Sequence, residues 1–210
     1  MVLHLAERLD VPLRERNLLL VSAGYAPVFQ QRSLDDPALK AARETMEQLL
    51  AAHAPNPAIA IDRHWSLVAA NRSVAPLLAG VDEALLKPPV NVLRLSLHPK
   101  GLASRMVNLA EWRAHLLERL GRQIDVSADA VLIELLKELR AYPAPRSPGR
   151  VQGNGAAIAV PFRLRHGDRV LSFISTTTVF GTPVEITLSE LALESFFPAD
   201  AETTEVVRAL

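Results

Sequence analysis

Six histidines stand at positions 4, 53, 64, 98, 115 and 166. Two imidazoles hold one metal ion when they sit four residues apart on a helix face, as in H-E-x-x-H. No pair here has that spacing. His166 falls in a turn and reads as solvated, and His98, before Pro99, reads as locally hydrogen-bonded. The chain has no cysteine, which excludes disulfides, thiolate catalysis and zinc–thiolate sites. Gly153-Asn154-Gly155 precedes a strand, whereas a phosphate-cradling loop follows a strand and opens a helix, so it reads as a plain loop. Ser172, Ser175, Thr176, Thr177 and Thr178 are dense in hydroxyls but lack a G-x-S-x-G elbow. They fit a strand with one solvated or pocket-lining face. No carboxylate pair has a spacing that demands acid–base work. The expectation is a protein that is not an enzyme and needs no metal or cofactor.

The elements that position these side chains follow from periodicity. Leu3, Leu5, Ala6 and Leu9 stripe a first short helix, which Asp10-Val11-Pro12 breaks. Leu13, Leu18, Leu19 and Leu20 stripe a second, closed at Gly24 by a residue suited to positive φ. After a connector over 28–34, Asp35 or Asp36 caps a helix with Pro37 in its first turn. Leu39, Ala42, Met46, Leu49 and Leu50 carry it to about His53. It is either an ordinary packing helix or a signalling and dimer helix.

From Pro57 the period changes to that of strands. Ala58–Asp62 and Trp65–Asn71 read as a pair around an Arg63-His64 turn, and Arg72–Ala79 as a short helix. Residues 82–101 are irregular or short-helical. Leu102–Leu120 reads as one amphipathic helix ended by Gly121, and Ser127 as the cap of another that buries Val131, Leu132, Leu135, Leu136 and Leu139. Pro143–Gly155 is a Pro/Gly-rich loop. Ala156–Arg165 alternates with Ile158, Val160, Phe162 and Leu164 inward, His166-Gly167-Asp168 turns, and Arg169–Phe180 is a long strand. After a turn at Gly181-Thr182-Pro183, residues 184–197 form a last extended segment, although Ser189–Glu194 also reads as helical. Asp200 caps a C-terminal helix.

Hydrophobic residues make up 49% of the 210-residue chain, enough for a packed core. Lys+Arg and Asp+Glu number 23 each, so net charge gives no footprint for nucleic acid. No apolar run approaches the ~18 residues of a membrane span, and no basic-then-apolar leader opens the chain. Cytoplasm is the default compartment.

Two strands, several helices and three strands follow the order of PAS-type sensor domains. The segments PNPAIAIDRHWSLVAANRSVAPLLAGV and NVLRLSLHPKGLASRMVNLAEWRAHLLERL resemble the ligand-binding region of MmyB-like bacterial transcription regulators. LAERLDVPLRERNLLLVSAGYAP resembles the closing helices of an Xre-type (lambda-repressor-like) helix-turn-helix domain. The resemblance implies an α+β chain with a PAS-like five-stranded antiparallel sheet covered by helices, preceded by a small all-α fragment. It implies a helix-turn-helix remnant at 1–27, a connector helix over 28–54, the PAS-like domain at 55–198 and a terminal helix at 199–210. Met1 then falls after the recognition helix, so DNA would be reached only through helices missing from the front. It also implies a cytoplasmic homodimer that senses a small apolar or fatty-acid-like molecule, with no membrane contact. The alternative is a PAS-like dimerisation module whose core is filled by its own side chains.

Such domains hold ligands between helices and sheet, and this selects the candidate wall. Met106, Leu109 and Trp112 step about one turn apart on the expected helix and would face Phe162 and Phe173. Core and pocket use the same residue types, so both readings stay open for this cluster. Arg94, in Val92-Leu93-Arg94-Leu95, is the cationic choice to meet a carboxylate bidentately, its plainer reading being a surface arginine. Asn71 reads as a hydrogen bonder that closes the strand-to-helix corner.

Overall fold

Each strand alternates its side chains between two faces, and here one face is buried in the main core while the other is covered only in part. The computed structural model describes residues 1–143, 160–181, 183 and 185–210. Strands β1 (Ala58–Ile61), β2 (Leu67–Ala70), β3 (Phe162–His166), β4 (Arg169–Val179) and β5 (Ala192–Pro198) form one antiparallel sheet in the order β2-β1-β5-β4-β3. The last strand therefore lies at the centre, between the first and the fourth. This is the α+β, PAS-like arrangement expected from the element order.

Ile59 and Ile61 point to one face, into the main core; Ala58 and Ala60 point to the other. Helix α3 (Lys40–Ala52) covers that second face with Met46 and Leu50 against Ala58, Ala60 and Leu193. Asp36 starts the preceding 3-10 turn by accepting from Ala38 N at 2.8 Å, with Pro37 beside it. Asn71 closes the corner beyond β2. Its amide donates to Leu50 O and Asn56 O, and its carbonyl accepts from Ala58 N.

The main core is covered by α4 (Val92–Leu97), α5 (Leu109–Ser127) and α6 (Ala130–Ala141). Here the expected boundaries shift. Leu102–Arg105 is a separate 3-10 turn, and Met106 is extended, bridging to Leu164 at the sheet edge. Val107 N donates to Arg163 O, and the Asn108 side chain donates to Pro161 O at 2.8 Å. These contacts with β3 interrupt what reads as one continuous helix. The helix then runs through Gly121, where an added Cβ meets nothing, and ends at Ala128 with φ +49°. Ser127 belongs to this helix, and the cap of the next is Asp129, accepting from Val131 N at 2.8 Å.

The stretch before β5 holds a short helix, α7 (Ile186–Ser189), capped by Glu185. The chain closes with α8 (Ala201–Ala209), capped by Asp200 accepting from Thr203 N. Gly153-Asn154-Gly155, Ile158 and Thr182 lie outside the described residues.

The N-terminal pair is α1 (Val2–Arg8) and α2 (Leu13–Ser22), closed at Gly24 with φ +81°. Asn17 accepts from Val28 N and Phe29 N and donates to Phe29 O, which fixes the connector. The pair is tied to the sheet domain through Arg14, whose guanidinium grips Glu190 at 2.6 and 2.9 Å. Leu5, Leu9, Leu18 and Leu19 remain exposed.

Candidate functional site

Between the sheet and helices α4 and α5 lies a cavity of about 100 Å³. Its sheet wall is Ile59, Phe162, Phe173 and Phe196. Leu93, Trp112 and Leu116 face them from the helices. An engineered apolar cavity of about 150 Å³ stays dry and binds benzene, so this space is of the size that takes a small apolar group. Phe162 and Phe173 are cross-strand partners with ring centroids 6.2 Å apart, and Trp112 packs on Phe162 at 5.3 Å.

Two polar side chains interrupt the apolar wall. Ser96 of α4 accepts a hydrogen bond from Trp112 Nε1 at 3.0 Å. Glu194 of β5 stands in one row with Ile59 and Thr177 across three strands. It is 6% exposed and pairs with Arg119 of α5. Thr177 Oγ1 donates to the same Glu194 oxygen at 3.3 Å, and Arg119 Nη2 donates to Thr177 at 3.0 Å.

Arg119 also lies 4.6 Å over the ring of Trp65, another lining residue. Trp65 has φ +64°, a left-handed conformation that is strained for a bulky residue. Its neighbours hold it there. The indole N–H donates to Gln123 Oε1 at 2.8 Å, Gln123 donates to Arg63 O at 2.7 Å, and Val92 N donates to Trp65 O at 2.9 Å. Trp112, Leu116, Arg119 and Gln123 recur at helical spacing, so one face of α5 builds the wall and the clamp together.

The turn that carries Trp65 is charged on its outside. Arg63 Nη2 lies 2.5 Å and His64 Nε2 3.0 Å from Asp129 Oδ2. Burial pushes the Asp129 carboxyl up, but the His64 and Val131 hydrogen bonds and the Arg63 charge outweigh it and hold it below its ordinary value. Arg63 also reaches Glu190 at 3.6 Å, the residue gripped by Arg14. A line of ion pairs thus runs from the cavity turn to helix α2.

Of the residues singled out in the sequence, Trp112, Phe162 and Phe173 line this cavity. Met106 is buried but bridges to Leu164, and Leu109 opens α5; neither lines the cavity. Both displacements follow from the break at Asn108. Arg94 is the larger correction. Leu93, Leu95 and Ser96 turn inward, while Arg94 points outward to α6 and meets Glu138 at 2.7 to 3.0 Å. That pair holds the Glu138 carboxyl below its ordinary value of 4.5. Arg94→Ala is expected to cost only ~0.2–1 kcal/mol, as for exposed ion pairs, and to leave cavity binding unchanged. A depressed carboxylate stabilises above its unfolded value, so the difference from wild type should shrink as pH falls below 4.5. Urea titrations at several pH values check this.

Ser96, Glu194, Arg119 and Trp65 escape the sequence reading. The one available signal is a glutamate set among apolar residues in Leu193-Glu194-Ser195-Phe196, where alternation puts it on the same face as Phe196.

The chain matches the family model described as the MmyB-like transcription regulator ligand binding domain over residues 42–210. The chain belongs to this family. No curated protein matches it. The matched span of this ligand-binding domain begins within α3 and takes in the whole sheet, the cavity and the Arg119–Glu194 pair. The protein thus has the ligand-sensing, regulatory role of a transcription regulator's ligand-binding domain. Among the described residues no helix is long and apolar enough to cross a membrane.

Proposed function

We propose that the cavity binds a small apolar or fatty-acid-like molecule and that its occupancy is passed to the N-terminal helices. The observation that carries this reading is the partly open space between α4, α5 and the sheet, walled by aliphatic and aromatic side chains with few polar groups. The end of an acyl chain fits about 100 Å³; a benzene-sized group or a longer chain requires the leucines of the wall to rotate. The domain is a sensor rather than an enzyme, and works in the cytoplasm as a homodimer. Residues 1–27 serve as the closing helices of an Xre-type helix-turn-helix domain, and sequence-specific DNA contacts belong to that domain's recognition helix. The exposed Leu5, Leu9, Leu18 and Leu19 support this, as an apolar face suited to further helices.

Native mass spectrometry of the purified protein, with thermal-shift titrations of octane, octan-1-ol and octanoate, tests the reading. A bound mass or a saturable shift is expected. No bound mass and no shift from any of the three would favour the filled-core dimerisation module instead. Light scattering that returns one chain's mass, 22.9 kDa, at all concentrations would remove the homodimer.

The transmission has its own test. Arg14→Ala cuts the line of ion pairs at Glu190, and amide exchange over Leu13–Ser22 is expected to speed up while β1 and β5 stay protected. Unchanged exchange over α2 would show that the pair does not hold it.

A further inference from the structure

The polar edge of the cavity narrows the class of ligand, on the reading that the cavity is the sensing site. We infer that the ligand presents a neutral hydrogen-bond donor, a hydroxyl or an amide N–H, to Glu194 and not an ionised carboxylate. Glu194 is the one charged side chain lining the cavity among the described residues, and more than nine-tenths of it is buried. Both hydrogen bonds it accepts, from Arg119 and Thr177, go to Oε1. Oε2 has no partner among the described residues. That oxygen keeps accessible surface, so a ligand donor can reach it and form a charge-assisted hydrogen bond.

The Arg119 charge does not free a place for a second anion. Its guanidinium is engaged with Glu194 and Thr177 and stacked over Trp65. The Arg119–Glu194 pair is already neutral, so a ligand carboxylate would add an unbalanced negative charge beside Glu194. Two carboxylates sharing one site do not both ionise readily. Arg94, the cation expected to meet a carboxylate, is outside the cavity and bound to Glu138. On the opposite wall Ser96 Oγ accepts from Trp112, and its own O–H has no acceptor among the described residues. The site therefore offers an acceptor at Glu194 and a donor at Ser96. An alcohol or a primary amide on an alkyl chain satisfies either.

The test compares octan-1-ol, octanamide and octanoate, which share a chain length and differ in head group. Calorimetric titration at pH 7.5 is expected to rank the alcohol and the amide at least about tenfold tighter than octanoate. Glu194→Gln, which removes the negative charge, should bring the three affinities within about threefold of one another. Ser96→Ala should weaken the alcohol and the amide several-fold. Octanoate binding wild type as tightly as octan-1-ol would overturn the inference, and that ranking depends on no variant. An unchanged ranking in folded Glu194→Gln would overturn it as well. If octane and all three amphiphiles fail to bind, the cavity reading itself falls and the head-group assignment falls with it.

Discussion

Arg119→Ala is expected to destabilise the domain by about 3–5 kcal/mol, the scale for removing one partner of a buried ion pair. Glu194 sits on the central strand with its side chain 7% exposed against 26% for Arg119, so water replaces the lost guanidinium only in part. The variant also loses the stacking on Trp65 and with it part of the clamp that holds a positive-φ tryptophan. The pair as such need not stabilise the fold, since desolvation offsets most of its attraction. Hence Glu194→Gln placed on the Arg119→Ala background should recover most of the loss, because no uncompensated charge remains. An exposed pair on the same helix provides the contrast. Arg122 and Glu118 lie one turn apart and largely in solvent, so breaking that pair should cost only about 0.3–0.5 kcal/mol. Urea midpoints for the four proteins measure all of this. A loss below about 1 kcal/mol in Arg119→Ala would show that Glu194 reaches water or another cation.

The ligand-sensing machinery depends on features of unequal visibility in the sequence. Periodicity is a local property, and it identifies the five strands, the connector helix and the Asp36 and Asp200 caps. Asn71 is recognisable as a corner residue because a short amide between a strand and a helix has few other uses. The helix start at Leu109 is invisible because Leu102, Met106 and Leu109 keep helical phase across a real break. That break is made by Asn108 and Val107 bonding to β3, more than fifty residues away in sequence. Such a contact leaves no local trace, and it takes Met106 and Leu109 out of the expected wall. Arg94 fails for a related reason. In a helix of six residues, which side chain faces the cavity is set by where Asn91 caps it. Arg119 is hidden because a charge on an amphipathic helix is assigned to solvent by default. Here it lies at the edge of the buried stripe, and only the position of Glu194 on the neighbouring sheet gives it a partner.

Trp112→Ala is expected to cost about 3–5 kcal/mol, the range for removing a large aromatic from a core. The ring is 4% exposed, packs against Phe162 and His115, and donates its N–H to Ser96. That loss alone does not distinguish wall from core, because both remove the same contacts. Binding to wild type, read beside rescue of the variant, does distinguish them, because a filled core truncated at this ring would also open a space for an apolar ligand. If Trp112 borders a real cavity, the variant widens it, and an apolar bicycle such as naphthalene should bind there. Occupancy at about 100 times its Kd would then return about 2.7 kcal/mol of the loss. Trp112→Phe should retain most of the stability and gain less from naphthalene, since its ring leaves less space. If the surrounding leucines instead collapse into the gap, the cost should fall towards the lower end of the range and naphthalene should restore nothing. Thermal unfolding of wild type and both variants, with and without naphthalene, reads the difference. Recovery in Trp112→Ala with no shift in wild type would mean that the natural space does not admit a bicycle and that the Trp112 ring is what fills it.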